Sequence, residues 1–457
     1  MDEKTVTLVQ EQVEDLLKTN QTDALQQLLT EFHPADIAEL LDELSAEDAV
    51  TVFEILPDEV ASEVLDETGS EVRQELVDKI DDERLADLLD ELPMDDAAEF
   101  LEDLPEKVAD RLLDLMEPDE AEEVRELLSY EEETAGRLMT RDVAMLRRYW
   151  TAAEAIEYLH ALNETDEAES LHYLYVVDRH DRLLGVVPIR SLLLARPNVT
   201  IETIMQTNVV SILVTADQEE LAETVSKYDF VSIPVVDLAG RLLGVVTVDD
   251  VLDILEEEAT EDIQRLGGSE PLDQPYFAVS VMHMVRKRVI WLLLLFVAAT
   301  LTGTVIRTFE YELETVIALG IFIPLVTGTG GNAGSQTVTT VIRALALGEV
   351  KLDDILRVWK REVLTGLLLG LLLGVVGFIR AITWDTGYRT FWDVSLVVAL
   401  TLPLVVIWAN SVATVVPIIA ERLKIDPTVI SAPMITTIVD ATGLAIYFLI
   451  AKWLLGL

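Results

Sequence analysis

The chain has 457 residues, enough for three ordinary domains, and half of them are hydrophobic although the formal net charge is −50. A field that acidic attracts cations and repels nucleic acid. The absence of cysteine excludes disulfides and thiolate metal sites, and the five histidines (His33, His160, His172, His180, His283) show no pair at zinc-ligand spacing, so any metal chemistry must use oxygen ligands.

The charge is unevenly spread. Residues 1–130 hold 42 Asp+Glu against 8 Lys+Arg, residues 131–275 hold 29 against 11, and residues 276–457 hold 12 against 14. An acidic soluble part is joined to a nearly neutral, apolar one. A halophile's acidic surface is an alternative source of the acidity, but it explains the asymmetry only if lipid-facing positions are spared. The N-terminal "MDEKTVTLVQ" lacks an apolar core and does not read as a signal peptide.

Residues 1–130 read as short helices joined by proline turns. "LLDEL" at 40–44 returns at 88–92 and "LP" at 56–57 returns at 104–105, a period of 48. Pro57, Pro93, Pro105 and Pro118 each open an apolar-periodic run, which suits proline in the first turn of a helix. Such repeats stack into an α-superhelix, each unit burying its stripe against the next with the carboxylates outside.

A second repeat follows. "YVVDRHDRLLGVV" (175–187) matches "PVVDLAGRLLGVV" (234–246) at a spacing of 59, each copy preceded and followed by a helical pattern. This doubled β-turn-β-α unit resembles a pair of CBS domains, which implies an adenine-nucleotide cleft and dimerisation. Gly244, Thr247 and Asp250 match the ribose-binding pattern, whereas Pro188 and Ser191 stand at the corresponding places of the first repeat, so one nucleotide site is expected. Thr247 equally reads as the cap of the helix that starts there. That helix, "DDVLDILEEEATEDIQRLGG" (249–268), keeps apolar Val251, Leu252, Leu255 and Ala259 at helical spacing and is otherwise acidic. Alone it is destabilised by like-charge pairs such as Asp253–Glu257, and it reads either as a solvated linker or as an element that needs cations.

From Val289 come five apolar stretches near the ~20 residues a bilayer demands, roughly 289–307, 315–346, 363–383, 393–420 and 428–455. "RKR" (286–288), "KLDDILRVWKR" (351–361) and "ERLK" (421–424) place the N-terminal domains in the cytosol and the C-terminus outside. An odd number of spans argues against an inverted repeat within one chain and for a dimer around a shared axis. "PLVTGTGGNAGSQTVTT" (324–340) is expected to interrupt the second span, since exposed backbone at membrane depth is tolerated only where protein buries it or water lines it. "SAPMITTIVDATG" (431–443) puts Asp440 inside the fifth, about two turns beyond Pro433, which is expected to free carbonyls. A carboxylate there costs about 2.5–3.5 kcal/mol even on a lenient scale. Contact with a cation in a water-filled path repays that cost; a buried structural pair would need a basic partner that the predicted span interiors lack, Arg343 and Arg380 lying too near the ends.

"FHPADIAELLDEL" (32–44), "DFVSIPVVD" with "GRLLGVVTVDDVLDILEEEATEDI" (229–263), "PLVTGTGGNAGSQ" (324–336) and "PMITTIVDATGL" (433–444) together resemble the MgtE family of magnesium transporters along nearly the whole chain. The resemblance implies a multidomain membrane protein: an all-α superhelical N domain (1–130), α/β tandem CBS domains (131–250), an acidic connecting plug helix (251–275) and a five-helix pore domain (276–457). It implies a homodimer in the plasma (inner) membrane, with Mg2+ as the ion carried and an adenine nucleotide such as ATP as a further ligand. It places pore ion contacts at Asp440 and Asn332, an inner-mouth contact at Asp426, and cytosolic sensor carboxylates at Asp217, Asp229, Asp250, Asp253, Glu258, Glu261 and Asp262. Some members carry a second asparagine where this chain has Ser335, so no metal contact is expected there. Mg2+ bridging the acidic elements would hold the pore shut, and like-charge repulsion would open it when Mg2+ falls. The alternative is an H+- or Na+-coupled divalent cation carrier of the same architecture. No phosphate-binding lysine loop or nucleophile-with-base constellation points to an enzyme.

Overall fold

The computed structural model describes residues 3–19, 21–163, 172–272, 276, 279–383 and 391–457, which divide into two compact units, Met1–Glu258 and Ala259–Leu457.

The first unit begins with short helices, and the 48-residue period of the sequence is a period of whole helices. Pro34–Glu43, Ala46–Ile55, Asp58–Asp66 and Ser70–Lys79 return as Asp82–Asp90, Met94–Glu102, Glu106–Leu113 and Pro118–Leu127. Each turns an apolar stripe inward: Ile37, Leu40, Leu41 and Phe53 in the first copy, Leu85, Leu88, Leu89 and Phe100 in the second, all buried. The proline expectation needs one correction. Pro118 opens its helix, but Pro57, Pro93 and Pro105 are N-cap residues with extended ψ of 131–148°, one position before the helix. An N-cap already has non-helical dihedrals, so the proline ring fits there at no cost.

The two β repeats each form a three-stranded sheet. Strands β1 (Met145–Arg147), β2 (Tyr173–Val177) and β3 (Leu183–Pro188) run in the order β1-β2-β3; β4 (Ile212–Leu213), β5 (Ser232–Val236) and β6 (Leu242–Thr247) repeat it. In each, the first strand pairs parallel with the second and the second antiparallel with the third, with a register shift at the same place, Val176/Val177 and Val235/Val236. The strands β1 and β4 are too short for a periodicity signal and were not expected from the sequence. The second repeat shares one hydrophobic core with the N-terminal helices through Ile212, Leu221, Ile233, Val235, Val246 and Val251, while the first keeps its own around Leu146, Leu174, Val176 and Val187. The helix Val248–Leu266 continues β6 and runs across the boundary between the units.

Among the described residues the second unit holds five long helices: Val281–Thr308, Ala318–Ala346, Ile355–Thr383, Phe391–Arg422 and Ala432–Leu455. Four of them are apolar enough by length and composition to cross a bilayer; the exception, Ala318–Ala346, is diluted by the Gly/Asn/Gln run. That run does not interrupt the span as expected. The helix is continuous through it, and Gly330, Gly331 and Gly334 are buried against Val405, Val439, Thr436 and Ile435. Small residues here let backbones approach where a side chain would hold them apart. Gly370, Gly374 and Gly377 do the same for the third span against Pro403, Ala399 and Leu402 of the fourth, and Gly366 against Val406, Ile407 and Asn410. Pro433 also departs from expectation. It lies in the first turn of Ala432–Leu455, where the missing N–H has no helical partner to lose, and its carbonyl accepts the hydroxyls of Thr436 and Thr437 at 2.9 and 2.8 Å.

Candidate metal sites

In the membrane unit, the fifth span places Asp440 half-buried beside Gly331, whose missing side chain leaves room for the carboxylate: a Cβ there would sit 3.5 Å from Asp440 Oδ1. No hydrogen-bond or ion-pair partner of that carboxylate is found among the described residues. Asn332, the next residue along the same helix, is exposed on the single chain, and Thr436 lies against Gly331 one turn before Asp440. The crossing of the two helices at Gly331 thus carries a carboxylate oxygen, the kind of donor a hard divalent cation takes.

The expectation that the spans lack a basic residue able to pair with a carboxylate needs qualifying. Lys452, inside the predicted fifth span, donates to Glu312 Oε1 at 2.7 Å, and Glu312 is only 3% exposed. Lys452 lies three turns beyond Asp440 along the span and its partner belongs to the short helix Glu310–Thr315, so the pair ties two helices together and does not involve Asp440. A further polar knot joins three spans: Glu362 Oε2 accepts from Thr337 at 3.3 Å and from Asn410 at 3.2 Å.

Both oxygens of Asp426, before the fifth span, accept hydrogen bonds. Its Oδ1 accepts the Thr428 amide at 2.8 Å, and its Oδ2 accepts the Thr428 hydroxyl at 2.6 Å and the Arg265 guanidinium at 2.7 Å. Arg265 also pairs with Glu261 one turn earlier on its own helix.

In the first unit the structure gathers Asp250 with two carboxylates that the sequence did not single out. One oxygen of each of Asp95, Asp96 and Asp250 lies within 4.8 Å of the others, a spacing that fits a shared cation with oxygen ligands. Asp95 and Asp96 occupy the first turn of Met94–Glu102, and Asp250 the first turn of Val248–Leu266, so both helix N-termini favour the charge. Burial pushes Asp250 up to about 6 even though the Thr247 hydroxyl and amide donate to it at 2.8 and 3.1 Å. Asp66, half-buried near Arg73 and Asp253, is likewise raised by burial to about 6, and Asp253 is raised by burial and by Glu256 and Asp249. The signal in the sequence was the "MDD" that opens a helix 48 residues after "AED"; only the packing shows that it faces Asp250.

The other sensor candidates are dispersed. Asp217 caps Gln218–Tyr228, accepting the Glu219 amide at 2.9 Å, and Asp229 ends the same helix in a left-handed conformation. Glu258 accepts from Gln218 Nε2 at 2.8 Å. Asp262 is engaged within the chain. At the nucleotide pattern, Thr247 and Asp250 bond each other, and Gly244 lets the Thr140 backbone approach to form the Thr140–Val245 bridge, as Gly185 does for the Val186–Gln206 bridge in the first repeat.

Comparison with known proteins identifies the domains in chain order. Residues 32–133 match the MgtE intracellular N domain, residues 135–198 and 201–257 the CBS domain, and residues 323–450 the MgtE divalent cation transporter domain. The chain is 39% identical to the magnesium transporter MgtE of Thermus thermophilus over 458 residues, covering 100% of this chain and 99% of that protein. It is 35% identical to the magnesium transporter MgtE of Enterococcus faecalis over 73% of this chain and 72% of that protein. A crystal structure of the cytosolic domain of the Mg2+ channel MgtE in complex with ATP aligns with a TM-score of 0.51 at 39% identity, covering 53% of this chain and 98% of that one. The soluble part of a magnesium transporter aligns with a TM-score of 0.51 at 30% identity, covering 56% and 99%. With a relative matched from end to end and all three domain types in the same order, the chain belongs to the MgtE family of magnesium transporters.

Proposed function

We propose that this protein is a Mg2+ channel that imports the ion and is shut by cytosolic Mg2+. The observation that carries the pore is Asp440: a half-buried carboxylate in a membrane helix, without a partner among the described residues and set against the glycine-rich helix that bears Asn332. Mg2+ dehydrates reluctantly and prefers octahedral oxygen at about 2.0–2.1 Å. A pore for it grips the water shell through carboxylate and amide oxygens. In a homodimer two Asp440 side chains across the axis supply −2, matched to the ion. The dimer is supported by apolar residues left exposed on the single chain outside the membrane helices, including Leu193, Leu194 and Leu252.

The working frame is four parts: the N domain (1–130), the CBS pair (131–250), the connecting helix (251–275) and the pore domain (276–457), with the first three in the cytosol and the C-terminus outside. Gating rests on carboxylate repulsion. Cytosolic Mg2+ shared by Asp95, Asp96 and Asp250, with Asp253, Glu258, Asp217 and Asp229 as further contacts in the first unit, favours the shut state by its higher affinity for that state, and Glu261 and Asp262 are the sensor carboxylates of the second unit. At the mouth of the pore, Asp426 and Glu261 take the ion. Adenine nucleotide at the CBS pair, near Gly244, Thr247 and Asp250, shifts the Mg2+ midpoint by coupling; the ATP complex of the similar cytosolic domain supports this ligand class.

The test is current through inside-out patches with Mg2+ as the sole permeant cation and cytosolic-side Mg2+ stepped upward. The channel opens at low Mg2+ and closes as it rises, and Asp440→Ala carries no current while the protein still folds and dimerises. Normal flux in Asp440→Ala removes the pore assignment. Uptake that persists without current and follows an H+ or Na+ gradient replaces the channel by a coupled carrier.

A further inference from the structure

The tail of the connecting helix, from Ala259 onward, belongs to the membrane unit and is fastened to it at several points. Leu266 packs on the apolar cluster of Ile342, Ile430 and Met434. The Glu270 amide donates to the Lys287 carbonyl at 3.2 Å. Gly268, with φ of 75°, lies under Trp291, where a Cβ would come within 2.6 Å of the indole nitrogen, and that nitrogen donates to Ser431 at 3.2 Å. At the centre of this seam Arg265 bridges two carboxylates from separate elements, Glu261 on its own helix and Asp426 at the start of the 3-10 turn Pro427–Val429 that leads into the fifth span. Counting Thr428, both oxygens of Asp426 are already engaged.

A guanidinium and a divalent cation compete for the same oxygens. A planar fork that makes a charge-assisted bond to a carboxylate satisfies the charge that an ion would otherwise satisfy. We infer that Arg265 is a tethered counter-cation of the inner mouth: it holds Asp426 and Glu261 in place of a divalent ion, and an ion enters that site only by displacing it. This deepens the inner-mouth reading given above and rests on it. The role is one of positioning. Arg265 acts through Asp426 and Glu261: it sets how readily the mouth carboxylates accept an ion, and therefore the cytosolic Mg2+ concentration at which that site fills. The displaced arginine also releases the tail of the connecting helix from the turn before the fifth span, which couples occupancy of the mouth to the position of that helix.

The experiment measures Mn2+ binding to the full-length chain in lipid nanodiscs by electron paramagnetic resonance, in wild type, Arg265→Gln, Arg265→Lys, Asp426→Asn and the double variant Arg265→Gln/Asp426→Asn. The quantity followed is the part of Mn2+ binding that Asp426→Asn abolishes. Arg265→Gln tightens that part about two- to fivefold, the range that the coupling of a partly exposed ion pair corresponds to; the double variant loses the gain, and Arg265→Lys returns it to the wild-type value. A purely structural role for Arg265 predicts the opposite sign, since damage to the site weakens binding. If an Asp426-dependent part exists but is unchanged or weaker in Arg265→Gln, the counter-cation proposal is overturned and the inner-mouth site stands. If Asp426→Asn removes no Mn2+ binding in either the wild-type or the Arg265→Gln background, the inner-mouth reading itself fails and takes the proposal with it.

Discussion

Replacing Asp250 by asparagine removes one of three carboxylates whose nearest oxygens lie within 4.8 Å of one another. At that separation a like-charge pair repels by about 0.9 kcal/mol in bulk water and about 3.5 kcal/mol at an effective dielectric of 20. Asp95 and Asp96 have further interactions in the chain that offset part of this repulsion, so the loss of two pairs stabilises the metal-free protein by at most about 2 kcal/mol. Asparagine retains an acceptor for the Thr247 amide and hydroxyl, so most of the cap at the start of Val248–Leu266 survives. For a unit of this size the gain corresponds to a rise in Tm of about 4–8 °C. With Mg2+ the order reverses. A site filled at 100 times its Kd stabilises the wild type by about 2.7 kcal/mol, and the variant, with two carboxylates left, gains much less. The assay is thermal unfolding of the full chain at pH 8, followed by intrinsic fluorescence with EDTA and with Mg2+. The reasoning is wrong if Asp250→Asn is the less stable protein in EDTA, or if Mg2+ raises both proteins equally.

The remaining predictions use other parts of the molecule. Burial holds Asp66 and Asp250 near 6 against 3.8 for the free carboxyl, so the folded protein binds more protons between about pH 4 and 6. Stability contributed by these groups is therefore present in acid and lost as pH rises through 6. Metal-free Tm should be higher at pH 5.5 than at pH 7.5, and the Mg2+-induced increase smaller at the lower pH; a Mg2+ effect independent of pH would contradict the assignment. Gly370→Ala places a Cβ 2.5 Å from the Pro403 Cα, a backbone atom that cannot step aside, and should cost about 1–3 kcal/mol or more of membrane-unit stability, whereas Gly303→Ala meets nothing within 4 Å and should not. Size-exclusion profiles after heating separate the two. Lys452→Ala leaves the Glu312 carboxylate without its cation and, because Lys452 is half exposed, should destabilise by on the order of 1 kcal/mol. Adding Glu312→Gln should recover most of that loss, and a double variant as unstable as the single would show that the ion pair is not the cause.

Much of this was legible before any coordinates. Helix-long periods of 48 and strand-long periods of 59 appear in the sequence because each repeat must bury the same face in the same way, and the helices and strands recur at those intervals. The apolar lengths of the spans follow from bilayer thickness, and Asp440 stands out because a carboxylate in hydrocarbon demands a reason. Where the reading failed, it treated local chemistry as if it acted locally. The glycines of 328–334 and Pro433 look like helix breakers in a sequence, but glycines packed against Val405, Val439 and Thr436 serve close approach instead, and proline in a first turn breaks nothing. The sequence thus determined the elements and the presence of a carboxylate inside an apolar span, since both are written in spacing and composition along the chain. Tertiary structure alone decided which charges meet. Asp95 and Asp96 face Asp250 across more than 150 residues, and Arg265 reaches Asp426 across 161. Coulomb interactions depend on distance through space, and no periodicity along a chain records that.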